Sequence, residues 1–221
     1  MYWIPVIISL LITVIAQIHV HSTFSKFSKI GNSRGLTGAE AARQMLLENG
    51  ITNVTIEPIP GSMTDHYDPT TNTIRLSEDV YNVPSVAAVG VAMHEAGHAL
   101  QYASGYAPIR LRNAIVKSTN ISSWVSYFLV LIGIMASSYN LMTLGIIFFC
   151  VVIFFQLVTL PVEFNASGRA VRTLQSGGWL TAEEISGVKQ TLSAAALTYV
   201  AAVAVSLLHL LRLLAIRGNR R

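Results

Sequence analysis

Charge is scarce in this chain of 221 residues: Asp, Glu, Lys and Arg together make up 12% of it, while 52% is hydrophobic. Soluble domains carry about 25% charged residues, so the composition, with a mean hydropathy of +0.52, excludes an ordinary soluble fold and points to a membrane protein. Cysteine is almost missing. The single copy, Cys150, sits in an apolar run, which excludes an intrachain disulfide and a cysteine-ligated zinc site. Any metal must therefore be held by His, Asp or Glu. Gly-rich phosphate loops and basic stripes interleaved with aromatics are also missing, so the net charge of +4 does not indicate a nucleic-acid partner. Internal repeats and low-complexity tracts are absent too.

What is present is apolar sequence in long runs. Residues 4–20, 121–136, 141–158 and 194–216 compare with the roughly 20 residues a helix needs to cross a bilayer. The first run has no basic n-region and no small-residue cleavage site, so it reads as an uncleaved anchor rather than a signal peptide. The fourth carries His209 and Arg212 towards its end, where a long cationic side chain can snorkel and the helix can lie partly in the interface. Between the second and third runs only residues 137–140 intervene. That spacing predicts a tight antiparallel hairpin that returns the chain to the face it left. The expected organisation is an anchor over 1–21, an exposed body over 22–120, a transmembrane hairpin over 121–160, a second part of the body over 161–193, and a transmembrane or interfacial helix with a basic tail over 194–221. Lys26, Lys29, Arg34, Arg110, Arg112, Lys117, Arg169 and Arg172 flank the runs on the body's side, against Arg217, Arg220 and Arg221 on the other. The positive-inside rule then puts the body in the cytoplasm.

Within the body, Thr37 followed by Glu40 forms a capping-box pattern and Gly50 a stop, predicting an amphipathic helix between them. Val54 and Ile56 alternate with polar neighbours, a turn rich in Asp, Pro, Thr and Asn follows, and residues 73–76 read as a strand. The fold class expected is mainly α and integral to the membrane, with about four transmembrane helices and a small α+β body holding a short antiparallel sheet. Pro84 and Ser85 open a long helix over 85–103.

That helix contains His94, Glu95 and His98 among Ala, Met, Gly and Leu. His94 and His98 are one turn apart, so their Cβ atoms lie roughly 5–6 Å from each other on one face, and two imidazoles so placed can share one ion. Burying them in apolar company without a partner would cost several kcal/mol. A catalytic zinc site takes three protein ligands and leaves the fourth position to water. Glu95, beside the first ligand, suits the general base of the zincin pattern H-E-x-x-H. Gly97 is a costly residue in mid-helix, worth about 1 kcal/mol against alanine, and suits a place where another backbone or a substrate comes close. The third ligand candidate is Glu163, directly after the third apolar run, because the hairpin returns the chain to the body there; its plainer reading is a carboxylate at a helix N-terminus, opened by Pro161. Glu183 and Glu184 follow Thr181 and read as first-turn acids. An oxyanion donor is sought among His66, Tyr67, Tyr106, Arg169 and Arg172. The strand residues Ile74, Arg75 and Leu76 are candidates for an edge that pairs with an extended substrate backbone, or for an ordinary edge strand.

The stretches DHYDP (65–69), IRLSEDVY (74–81), HEAGHALQ (94–101) and PVEFNAS (161–167) together resemble the YugP-like bacterial membrane zinc metallopeptidases, of gluzincin type, over nearly the whole chain. The resemblance implies a bacterial cell-membrane location, one Zn²⁺ per chain held by His94, His98 and Glu163, Glu95 as the catalytic carboxylate, and a polypeptide substrate. It departs from the family pattern EFDASRRA at Asn165 and Gly168; an Asn can still accept a hydrogen bond from a ligand imidazole but lacks the charge that raises its basicity. The competing reading is a zinc-binding membrane scaffold or peptide-binding pseudopeptidase, which would need the ligands but not Glu95. A transporter is disfavoured by the few spans and by the lack of mid-membrane charge in the central pair.

Overall fold

The computed structural model describes residues 3–218; Arg220 and Arg221 of the expected basic tail lie outside them. In chain order the elements are α1 (Ile4–Ser28), α2 (Gly38–Glu48), β1 (Thr55–Ile59), β2 (His66–Asp68), β3 (Thr73–Ser77), α3 (Val86–Ala103), α4 (Ala107–Met135), α5 (Tyr139–Gly177) and α6 (Ala182–Gly218). They divide between two compact units. One comprises Met1–Gln17, Arg110–Pro161 and Leu197–Arg221, the other Ile18–Ile109 and Val162–Ala196.

The first unit is the membrane unit. α1, α4, α5 and α6 are each long and apolar enough to cross a bilayer, and large side chains such as Leu10 (63% exposed) and Ile15 (65%) point outward from α1. In water that exposure would be unfavourable; against lipid it is not. The tight hairpin expected from the sequence is present, with α4 and α5 joined across residues 136–138. Gly145 lets them touch: a Cβ there would stand 2.7 Å from Val130 Cγ2, and Ser126 Oγ donates to the Gly145 carbonyl at 2.9 Å. Small residues and a hydroxyl donor are how helices associate where no hydrophobic effect drives them together.

The second unit is the body. Thr37 caps α2 in the expected box with Glu40, and Gly50 leaves the helix at φ 72°. Ser85 caps α3 by accepting from the Ala88 N–H at 3.1 Å. Met45, Ile74, Leu76, Val80, Val86, Val89, Met93 and Leu174 are fully buried together, at about 1.5–3 kcal/mol for each large side chain removed from water.

Three sequence expectations change. The sheet is mixed, not antiparallel: its order is β1-β3-β2, with β1 parallel and β2 antiparallel to β3. The region read as one long turn holds β2, a strand too short to show alternation. Pro161 does not open a new helix. It lies inside α5, which continues from the apolar span into the body; the missing proline N–H costs one backbone bond without ending the helix.

Candidate metal centre

Two helices of the body build the centre, each with one face. On α3, His94, His98 and Gln101 follow at intervals of four and three; on α5, Glu163 and Ser167 stand one turn apart. The faces meet closely at Gly97, where a Cβ would lie 2.6 Å from the Ala166 carbonyl oxygen. The glycine singled out in the sequence thus serves the approach of a second helix backbone.

The approach brings three ligand atoms together. His94 Nε2 lies 3.3 Å and His98 Nε2 3.6 Å from Glu163 Oε2, and the two Nε2 atoms are 3.1 Å apart. A tetrahedral ion with bonds of about 2.0–2.1 Å separates its ligand atoms by about 3.3–3.4 Å, so the triangle has the size of one face of such a tetrahedron. The side chains are 16%, 12% and 4% exposed, and Glu163 Oε2 is buried without a properly formed hydrogen bond. A buried carboxylate oxygen set between two imidazole nitrogens is well placed to share one divalent cation with them. Among the described residues, His94, His98 and Glu163 form the group able to hold a metal.

The ring nitrogens facing away from the cluster are also occupied. His94 Nδ1 lies 3.0 Å from Ser167 Oγ and His98 Nδ1 3.0 Å from Gln101 Oε1. Gln101, fully buried, donates to the Val162 carbonyl at 2.7 Å and to Asn165 Oδ1 at 3.1 Å; the same Oδ1 accepts from Arg169 Nε at 2.9 Å. Guanidinium only donates, so Arg169 fixes the Asn165 oxygen, Asn165 fixes the Gln101 amide, and Gln101 presents its carbonyl to His98. His98 must then carry its proton on Nδ1 and offer the Nε2 lone pair to a metal. Burial pushes the His98 imidazole down, but its bond to Glu163 and the charges of Glu95 and Glu163 outweigh burial and raise it.

Glu95, 8% exposed, is held by β2: the Tyr67 backbone N–H donates to Glu95 Oε2 at 2.9 Å. β2 is in turn positioned by Asp65, whose carboxylate accepts from Ser77 N–H at 2.8 Å and Ser77 Oγ at 3.0 Å. Burial pushes the Asp65 carboxyl up against those bonds, and the charge of Glu95 adds to the rise.

Other expected site residues fall elsewhere. Asn165 does not bond a ligand imidazole directly; it reaches His98 through Gln101. Arg169 is committed to Asn165 and to Ser104 Oγ at 3.2 Å, over the Tyr106 ring at 5.9 Å, and Arg172 is exposed. His66 is an exposed residue of β2 with Nδ1 on the Thr64 carbonyl at 2.8 Å. Ile74, Arg75 and Leu76 cannot receive a substrate strand, because β3 is the central strand and is paired on both sides. Ile74 and Leu76 are fully buried, and Arg75 is tied to Glu57 at 2.7 Å and Asp68 at 3.2 Å.

Fold and centre together describe a membrane protein with a group of two histidines and a glutamate able to hold a metal, and the chain belongs to the family described as putative neutral zinc metallopeptidase, whose model matches residues 2–218. It is 51% identical over 206 residues, 93% of this chain and 92% of the relative, to the protein named Putative membrane protease YugP of Bacillus subtilis (strain 168). No solved structure matches it.

Proposed function

We propose that this chain is a membrane-embedded, zinc-dependent endopeptidase that hydrolyses peptide bonds of polypeptides at the membrane, with its body on the cytoplasmic face. The observation that carries the reading is the triangle of His94 Nε2, His98 Nε2 and Glu163 Oε2 with a carboxylate fixed beside it. His94, His98 and Glu163 are the ligands, for one ion per chain. Zinc, when bound, supplies a Lewis acid that lowers the pKa of water towards about 7 and polarises a carbonyl.

The remaining steps belong to the chain. Tyr67 N–H keeps Glu95 Oε2 in place, and Glu95 Oε1 takes the proton of the attacking water, then returns it to the leaving amine. Gln101 and Ser167 hold the imidazoles in register.

The test is zinc content and peptide hydrolysis of the purified protein beside Glu95→Gln and Glu163→Ala. Glu95→Gln is expected to keep a full complement of zinc and lose turnover by about 10²–10⁴-fold, while Glu163→Ala loses zinc. Hydrolysis by Glu95→Gln at the wild-type rate would remove the peptidase reading, and zinc without hydrolysis in the wild type would favour a metal-binding scaffold.

A further inference from the structure

All eleven Asp and Glu residues of the chain fall in the body; the membrane unit has none, although it holds seven of the fifteen Lys and Arg. Within it a cavity of about 370 Å³ opens between α4, α5 and α6. Its walls are mostly apolar, including Val130, Phe149 and Leu213, with Ser123, His209 and Arg212 as polar points. The Arg212 guanidinium stands 5.8 Å from the Trp3 ring centroid, and its Nε is buried without a hydrogen-bond partner.

Arg212 lies five residues before Arg217 on α6, about 7 Å along the helix axis. Arg217 marks the hairpin end of the unit, over the Tyr139 ring at 5.0 Å and 3.4 Å from Thr143 Oγ1. His209, one turn further from that end, packs its ring on Phe149 at 5.3 Å. A cation held inside the apolar layer is costly unless compensated, and this unit contains no acid to compensate it. No acidic side chain of this unit can supply the counter-charge, and the apolar walls beside it favour an occupant that brings hydrocarbon as well as charge.

We propose that the cavity is a binding site for one anionic phospholipid, with the headgroup phosphate on Arg212 and an acyl chain along Val130, Phe149 and Leu213. Basic pockets between membrane helices recognise such headgroups through this combination of charge and apolar wall.

The test is native mass spectrometry of the delipidated full chain titrated with phosphatidylglycerol or phosphatidylcholine. One phosphatidylglycerol is expected to bind in preference to phosphatidylcholine by roughly fivefold or more, the weight of one cation at an anionic lipid surface. Arg212→Gln should abolish the preference, and Ser123→Phe, which fills the cavity and leaves the charge, should reduce phosphatidylglycerol binding. Unchanged zinc content in both variants shows that the body is intact, so this outcome is separate from peptidase activity. Equal affinity for the two lipids, an Arg212→Gln protein that binds as wild type, complete displacement by inorganic phosphate, or a lipid-free dimer would each overturn the proposal.

Discussion

Gln101 decides which nitrogen of His98 is open to a metal. Its carbonyl can face the imidazole only because its amide group is committed to Val162 and Asn165, so a residue outside the proposed ligand set controls one within it. Gln101→Leu is expected to weaken zinc binding by about 10–100-fold, as loss of partners behind a ligand does, measured by competition with a chelator; an unchanged affinity would show that the tautomer is set elsewhere. His98 also gives the centre a pH dependence. Its imidazole is raised above the ordinary 6.5 in the metal-free protein, so the stability from the His98–Glu163 pair is fully present below about pH 6.5 and is lost as pH rises through the raised value. Zinc binding runs in the opposite sense, because the ligand must lose its proton. Metal-free protein should therefore show a higher Tm at pH 5.5 than at pH 8.5, and the zinc-loaded protein the reverse. The meeting of His94 and His98 on one face was legible from spacing alone, and the arrival of Glu163 beside them from the returning hairpin. Gln101 and Ser167 were legible in principle, since each lies one turn beyond a ligand on the ligand's own face. The Tyr67 N–H was not, because a backbone donor leaves no mark on the residue type.

Elements carry this geometry through one close contact. Glu163 lies on the same unbroken helix as the third apolar span, so its position relative to α3 depends on how near α5 can come, and Gly97 sets that distance. Gly97→Ala would gain about 1 kcal/mol of helix propensity, but its Cβ would meet the Ala166 carbonyl, and overpacking of this kind costs about 1–3 kcal/mol. The clash is expected to win. The variant should unfold at lower temperature and bind zinc more weakly; a higher Tm with normal zinc affinity would show that α5 can withdraw without moving Glu163. α2 and α3 were legible because caps and stops are local chemistry. The sheet was not: the parallel pairing of β1 with β3 and the edge position of β2 depend on contacts between segments distant in sequence, and so the strand assigned to substrate proved to be the central one. Pro161 misled for a related reason, since a proline that usually opens a helix is tolerated within one anchored on both sides.

At the scale of the whole molecule, charge is divided as sharply as hydropathy. The acids serve the body, where they cap helices, brace strands and face the metal site, while the membrane unit keeps only cations. The spans were legible because hydrocarbon thickness imposes a length on the sequence; the charge division was visible too, but gained meaning only when the structure grouped distant segments into one unit. The same division bears on orientation. Lys26, Lys29, Arg34, Arg110, Arg112, Lys117, Arg169 and Arg172 lie near the body ends of the spans, against Arg217 among the described residues at the opposite end. Retention of Lys and Arg on the cytoplasmic side outweighs a short basic tail when the counts differ this much. Lys29 and Arg34 are exposed in the segment between α1 and α2 and provide the measurement. Trypsin added to sealed inside-out vesicles should cut there and release the body's N-terminal connection, whereas sealed right-side-out vesicles should protect both sites. Cleavage at Lys29 or Arg34 in the right-side-out preparation would place the body outside the cell.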